Sequence, residues 1–269
     1  MADALFDRAR YAARLTTHAM GRTLLARASA ESTNDEAWDA LAAGLGDGLV
    51  VVADTQTAGR GRSGRTWAHA PGKGLALSVA LHLGCDVSQA GAIPLGAGLA
   101  LQRAIASLGA RTSLKWPNDL LLGGAKLAGI LCEVRHQPSG GDAVVIGVGV
   151  NVRQRREDFP PELAPIAASL ALAGIDTLVE DVAAAFLNAF EPLWPELQEG
   201  DRAGVLDAWA ERADFWGQSV TVRAPGGALT GIAQRLDADG ALVLRLENGT
   251  EHTVLAGDLE LEGSEGGLS

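Results

Sequence analysis

The 269-residue sequence predicts an α+β protein, with a strand-rich core framed by helices and a small β-barrel after it. Three observations carry this. Short β-branched runs crowd residues 112–152, Ala-rich helical stretches flank them on both sides, and the tail repeats short strands broken by glycine turns.

In chain order, residues 3–20 read as an amphipathic helix stopped by Gly21, and "TLLARA" follows as a short strand. Ser32 or Thr33 caps a helix running through Leu41. Glu36, three residues after Thr33, completes a capping box, and Gly44 ends the helix. "GLVVVAD" at 48–54 is short, apolar and β-branched, the pattern of a buried strand, and "KGLALSVALHL" supplies another. Residues 87–108 predict a long helix closed by Gly109. The runs "TSLKW", "DLLL", "KLAGILCEV" and "AVVIGVGVNV" then read as strands, separated by Pro117-Asn118, Gly123-Gly124 and "QPSGGD". Paired glycines between apolar runs signal a hairpin. Residues 161–213 return to helix. The tail strands "SVTVRA", "ALTGIAQRL", "ALVLRLE" and "TEHTVLAG" are broken at Pro225-Gly226-Gly227, Asp239-Gly240 and Asn248-Gly249, which suggests a barrel of about 50 residues. The expected domain boundary lies near Asp214–Gly217, and the last residues read as a flexible tail.

Composition narrows the function. Hydrophobic residues make up 47% and charged residues 20%, as in an ordinary globular protein. No apolar run is long enough to span a membrane, and the N-terminus lacks the apolar stretch of a secretion signal. With only Cys85 and Cys132, a disulfide framework and metal-ligand cysteine spacing are both absent, and two reduced thiols in a cytoplasmic protein are expected. Cys132, within "LAGILCEV", is expected to be buried. The net charge of −11 argues against general nucleic-acid binding. Against that background, a local cluster of arginines at 60–65 suggests a small anionic ligand.

That cluster lies in "QTAGRGRSGRTW", residues 56–67, which also spells Gly59-x-Gly61-x-x-Gly64. A dinucleotide fingerprint needs a helix to open at the third glycine and an acid about 20 residues on. Asp86 falls at a tolerable distance. Only eight residues separate Gly64 from the strand beginning at Lys73, however, and they include Pro71 and Gly72. A βαβ crossover needs roughly ten to twelve. The dinucleotide reading fails. The glycines still let backbone N–H groups approach an anion, and Arg60, Arg62 and Arg65 add forked donors for phosphate or carboxylate. A solvated basic loop is the alternative. Downstream, Lys115, Asn118 and Asp119 precede the hairpin, and Lys126 stands on its return strand. Lys126 is either an edge lysine reaching solvent or an anion ligand in a pocket.

Taken together, "ESTND" at 31–35, "TQTAGRGRSGRTW" at 55–67, "KWPNDLLL" at 115–122, "KLAGIL" at 126–131 and "VIGVGVNV" at 145–152 resemble the biotin–protein ligases, in that family's order and spacing. The resemblance covers about residues 24–262. It implies a class II synthetase-like domain over 24–214, with a mixed, largely antiparallel central sheet flanked by helices. It further implies an SH3-like barrel over 215–262, with residues 1–23 as a helical extension and 263–269 as a flexible tail. It implies two half-reactions: biotin and MgATP give biotinyl-5′-AMP and pyrophosphate, then an acceptor lysine displaces AMP. The implied partner is a biotin carboxyl carrier protein or a pyruvate carboxylase-type carrier domain. Magnesium would be held mainly by the ATP phosphates.

By the same resemblance, Ser32, Thr33, Asn34 and Gln56 belong to the biotin end, where hydroxyl and amide groups pair with the ureido ring. Capping alone would also explain Ser32 and Thr33. Arg60, Gly61 and Arg62 match the loop over the biotin carboxylate and adenylate phosphate, and Arg65 belongs to the same adenylate-binding set. Bringing a carboxylate against a triphosphate needs cations to offset repulsion. Lys126 matches the lysine at the carboxylate and α-phosphate. Asn118, Asn151 and Gly147 fall at the nucleotide side, with Gly149 allowing close packing there. Glycines in a strand can also mark a bulge. Asp119 either helps deprotonate the acceptor amine or caps the turn, and Trp67 either walls the pocket or anchors the loop. Residues 153–168 fall where the family has an adenine-covering loop. Some 30 residues precede "ESTND", too few for the winged helix-turn-helix of many bacterial members, so no repressor function or DNA binding is expected. Some members form dimers through the central sheet, which leaves a homodimer open. A lipoate–protein ligase or lipoyl/octanoyl transferase is the alternative enzyme.

Overall fold

The computed structural model describes residues 5–68, 70–137, 140–199, 202–224 and 226–261. The expected flexible tail at 263–269 lies outside them, as does Pro225 of the first tail turn. The strands are β1 (Leu24–Arg27), β2 (Leu49–Ala53), β3 (Gly74–Leu83), β4 (Ser113–Lys115), β5 (Asp119–Leu122), β6 (Ala125–His136) and β7 (Asp142–Asn151), then β8 (Ser219–Ala224), β9 (Gly227–Leu236), β10 (Leu242–Arg245), β11 (Glu251–Val254) and β12 (Asp258–Leu261). The helices are α1 (Arg8–Arg14), α2 (Thr33–Ala42), α3 (Ile93–Ser107), α4 (Val179–Phe190), α5 (Trp194–Glu199) and α6 (Ala203–Ala210).

The first seven strands form one sheet in the order β1-β2-β3-β7-β6-β5-β4. Only β1 and β2 run parallel; every other neighbour is antiparallel. The sheet is mixed and largely antiparallel, as the resemblance implied. Side chains alternate faces along a strand, and the two faces here have different partners. Val50, Val52, Leu75, Leu77, Val79, Leu81, Val144, Ile146, Val148 and Val150 join the main core with α3, α4 and α6. Leu49, Val51, Ala80, Ala143 and Val145 pack instead under Ala37, Trp38, Ala40 and Leu41 of α2. Burial on both sides explains why "LVVV" is apolar without alternation.

Beyond the reach of α2, that second face is lined by small residues. Ser78 on β3 lies opposite Gly147 on β7, and Gly149 lies opposite Gly129 on β6. The result is a shallow hollow in the sheet surface, which the side chains of Asn34 and Trp67 enter.

Several predicted elements are corrected. The helix expected over 3–20 is limited to α1, capped by the Asp7 carboxylate, which accepts from Ala9 N and Arg10 N. Residues 18–20 do not continue the helix; the Glu191 carboxylate captures their N–H groups. The capping box of α2 does not form. Ser32 makes no side-chain cap, and Glu36 turns to Arg27 at 3.1 Å. The helix expected over 87–108 starts in earnest at Ile93, after a 3-10 turn over Val87–Ala92. The 161–213 stretch becomes α-helical only from Val179. Gly123 and Gly124, both at positive φ, make the predicted hairpin.

The tail is an antiparallel sheet in the order β11-β10-β9-β8-β12. This is the small β domain expected of the tail, with β12 returning to pair with β8; no pairing between β11 and β12 closes it among the described residues. Its last strand, "DLEL", went unread because two acids interrupt a four-residue run. This sheet docks on the first. Trp116, 2% exposed, donates its indole N–H to the Gly240 carbonyl at 3.1 Å.

Candidate active site

Sequence-distant motifs meet over the small-residue hollow because of how the parallel pair ends. Past β1 and β2 the pairing continues as a parallel bridge, Ala30 to Gln56. The two chains leave the sheet side by side, carrying 32–34 and 56–67 together. Thr33 N and Thr33 Oγ1 both donate to Gln56 Oε1, at 2.9 and 3.1 Å. Ser78 Oγ lies 2.7 Å from Thr33 Oγ1 and donates to Asn34 Oδ1 at 2.6 Å. Ser32, Thr33, Asn34 and Ser78 are all buried. Buried polar groups are costly unless paired, and Thr33, Asn34 and Ser78 pair with one another and with Gln56. Asn34 fits only because residue 147 is glycine: a Cβ there would meet Asn34 Oδ1 at 2.4 Å.

The 56–67 loop folds as a small hairpin over this floor. Gly61 N donates to the Arg65 carbonyl and Trp67 N to the Gly59 carbonyl, while Arg60 bridges Thr66. A 3-10 turn at Arg62–Gly64 replaces any helix, with Ser63 at φ 55°. The indole of Trp67 lies against Gly149 and Gly129; a Cβ on Gly149 would stand 2.4 Å from its Cε2. Trp67 therefore anchors the loop to the sheet and also walls the hollow.

The three loop arginines reach out in two directions. Arg60 forks onto Asp35 at 2.5 and 2.8 Å and reaches Glu133 at 3.2 Å. That guanidinium holds the Asp35 carboxyl below its ordinary range. Arg62 donates to Asn118 Oδ1 at 3.3 Å and to the Gly257 carbonyl at 3.1 Å. Arg65 donates to Asp258 at 2.5 Å. A cavity of about 680 Å³ lies between the loop and the C-terminal sheet, with Arg60, Arg62 and Arg65 on its wall.

Lys126 stands at the start of β6, half-exposed. Its Nζ is 2.7 Å from Asp119 Oδ1 and 5.8 Å from the Trp67 ring centroid. The approach to Asp119 is off the hydrogen-bond direction, so this buried oxygen has an ion-pair partner but no donor aimed at it. The lysine is thus no edge lysine in open solvent. It faces the loop beside Trp67. Lys115 stands opposite Asp119 across β4 and β5, and burial pushes its pKa down. Asn118 spends its amide N–H on the Ile130 carbonyl at 2.7 Å.

Asn151 serves the segment 153–168 rather than the loop. Its Nδ2 donates to the Ala168 carbonyl at 2.9 Å, and its Oδ1 accepts from Gln154 at 3.1 Å. Lys126 N in turn donates to the Ile166 carbonyl at 2.8 Å, so this segment forms the wall beside Lys126. Cys132, expected buried, is partly exposed on the opposite face of β6, and desolvation raises its thiol pKa to about 12.

Sequence reasoning missed Ser78, Asp35, Glu133 and Asp258. Ser78 carried a signal: it is the lone polar residue before His82 in an otherwise apolar strand, flanked at two-residue spacing by Ala76 and Ala80. The carboxylates carried none, since ordinary surface acids look alike in sequence.

A cation-bearing loop over a small-residue sheet, with a lysine at its edge, is suited to an anionic small molecule, and comparison with known proteins gives the class: the biotin and lipoate protein ligases. The pattern of the biotin/lipoate A/B protein ligase family matches residues 26–151, and that of the biotin protein ligase C-terminal domain matches 215–261. The chain is 32% identical over 249 residues to the bifunctional ligase/repressor BirA of Bacillus spizizenii, covering 92% of this chain and 76% of that one. It is 38% identical over 219 residues to the biotin–[acetyl-CoA-carboxylase] ligase of Mycobacterium tuberculosis, covering 79% of each. The biotin protein ligase of Aquifex aeolicus, solved in complex with biotin and ATP, superposes with a TM-score of 0.74 at 26% identity, over 89% of this chain and 98% of that one. The chain belongs to the biotin protein ligase family.

Proposed function

We propose that this chain is an ATP-dependent biotin–protein ligase. A biotin carboxylate oxygen attacks the α-phosphorus of ATP, the bond to the β-phosphate breaks, and pyrophosphate leaves. The ε-amine of an acceptor lysine then attacks the acyl carbon, forms the amide and expels AMP. The observation that carries the reading is the 56–67 loop with its three arginines lying between the buried Thr33–Asn34–Ser78 patch and Lys126, whose Nζ is 5.8 Å from the Trp67 ring centroid.

The roles follow the chemistry. Thr33, Asn34 and Gln56, braced by Ser78, offer the donors and acceptors a ureido ring needs, with Ser32 starting the helix that holds them. Gly61 lets the loop backbone approach the carboxylate. Arg62 and Lys126 offset the charge that builds when carboxylate meets phosphate. Arg60, bound to Asp35 and Glu133, contributes mainly by holding the loop. Gly147 and Gly149 make room for Asn34 and Trp67, Trp67 supplies an apolar wall for the adenylate, and Asn118 and Asn151 hold the frame around the nucleotide. Asp119, already beside Lys126, is suited to receive a proton from the acceptor amine.

Among the described residues no group of three or more His, Cys, Asp or Glu could hold a metal ion. Magnesium enters this reading with ATP, on its phosphates. The acceptor is a carboxylase carrier domain, and the working compartment is the cytoplasm. With a net charge of −11, specific operator binding is not part of the reading.

The test is transfer of radiolabelled biotin to a purified carrier domain, preceded by pyrophosphate exchange with biotin or lipoate. Exchange with lipoate alone would overturn the proposal. A second measurement concerns the loop. Its own pairs are surface ion pairs, each worth roughly 0–1 kcal/mol, so trypsin should cut after Arg60, Arg62 and Arg65 in the ligand-free enzyme. Biotin plus ATP should protect these bonds, and ATP alone less so. Equal cutting in all three states would mean the loop does not respond to ligand.

A further inference from the structure

Two arginines of the loop are held by the far end of the chain. The turn between β11 and β12 presents the Gly257 carbonyl to Arg62 Nη1 at 3.1 Å. The next residue, Asp258, takes Arg65 Nη2 at 2.5 Å and lies 3.8 Å from Arg62 Nη1. The turn is itself fixed: a Cβ on Gly257 would meet Val222 Cγ1 at 2.5 Å and the Arg223 carbonyl at 2.8 Å, so only glycine lets it seat on β8. Asp258 Oδ1 thus sits between two like charges three residues apart, on a strand paired residue for residue with β8.

We propose that Asp258 is a positioning residue for biotin activation, holding Arg62 and Arg65 so that the C-terminal sheet completes the active site. This rests on the biotin ligase reading above. The physical need is specific. Neighbouring guanidinium groups repel, and each carries a long, freely rotating stem. One carboxylate shared between them offsets the repulsion and removes rotamer freedom before any ligand arrives. The Gly257 carbonyl and Asn118 Oδ1 both draw on Arg62 Nη1, which leaves the remaining N–H donors of Arg62 for an anion. Preorganised donors of this kind act on charge developing in the transition state without a reorganisation cost. Arg65, more exposed, serves as the second point of attachment.

Glu260, two residues on, is the natural control. It shares a face of β12 with Asp258 but pairs with Arg223 at 2.7 Å rather than with Arg62 or Arg65. In Asp258→Ala, biotinyl-AMP should dissociate about three- to tenfold faster, in line with loss of a partly exposed ion pair that acts mainly on release. The KM for ATP should rise by a similar factor, and Asp258→Glu should recover most of both. Trypsin should also cut after Arg62 and Arg65 faster in ligand-free Asp258→Ala than in the parent chain. Glu260→Gln should change none of these. Should Asp258→Ala fold poorly, Asp258→Asn removes the charge alone and is read the same way. Parental adenylate release and parental cutting in the Asp258 variants would overturn the proposal, as would an equal effect from Glu260→Gln. A parent chain without biotin-dependent exchange would defeat the ligase reading instead, while the cutting rates would still report on Asp258.

Discussion

Replacing Lys126 by alanine should reduce biotin-dependent pyrophosphate exchange by about 10²–10³, the usual cost of losing one cation at developing charge in a water-poor site. The expectation rests on where the lysine stands. Its ammonium is 2.7 Å from the Asp119 carboxylate and 5.8 Å from the Trp67 ring centroid. It therefore stands between the Asp119 carboxylate and the indole that anchors the loop. The fold should survive, because Lys126 is half-exposed and its backbone pairings to 166 and 168 do not use the side chain. Far-UV circular dichroism of the variant should match that of the parent. Transfer from preformed biotinyl-AMP to a carrier should fall much less than exchange does, since activation is already complete. Undiminished exchange would remove Lys126 from the mechanism.

Gly149→Ala should be nearly as damaging, although it adds a single methyl group. That carbon would stand 2.4 Å from Trp67 Cε2 and 2.7 Å from its Nε1, closer than any real contact allows. The strand cannot yield, because β7 is hydrogen-bonded on both sides and buried beneath. The indole must lift instead, and the loop with it. A displacement of about 1 Å in positioning groups costs up to 10² in rate, so a ten- to hundredfold loss of exchange is expected. The KM for ATP should rise with little loss of thermal stability. Gly124→Ala, at an exposed turn with nothing within 4 Å of its Cβ, strains only its own positive φ and serves as the control. Comparable exchange losses in the two variants would mean that general strain, not the seat of Trp67, sets the effect.

How much of this could be read from the chain alone varies with the physics involved. The central strands were legible because burial is written into periodicity. "VIGVGVNV" alternates large residues toward the helices with glycines toward the hollow, and both halves of that pattern are visible. The Gly/Arg loop was legible for a different reason, since glycine and arginine together cost too much to be ornamental on an acidic protein. Helix ends were read poorly. Asp7 starts the helix late by capping it locally, and Glu191 overrides the periodicity of residues 18–20 through hydrogen bonds that connect positions more than 170 residues apart. The capping box at Thr33 failed because Gln56 competed successfully for the Thr33 N–H. The carboxylates that hold the loop were silent, because their meaning arises only from what the fold brings against them. The small β domain of the tail was legible in its turn spacing, but spacing does not give the strand order, in which β12 returns to pair with β8.

The contact between Arg62 and Gly257 joins residues 195 positions apart. Closing so long a stretch of chain carries a large entropic cost, and non-local contacts of this kind form late in folding. The catalytic face is thus expected to be the last part of the molecule to settle, after the seven-stranded sheet beneath it. During synthesis, the loop would wait without its partner until nearly the whole polypeptide had emerged. Pulse-labelled hydrogen exchange during refolding should find the amides of β3 and β7 protected well before those of Gly61 and Trp67. Simultaneous protection would mean instead that the loop is set by the sheet alone, and that the C-terminal strands arrive at a surface already made.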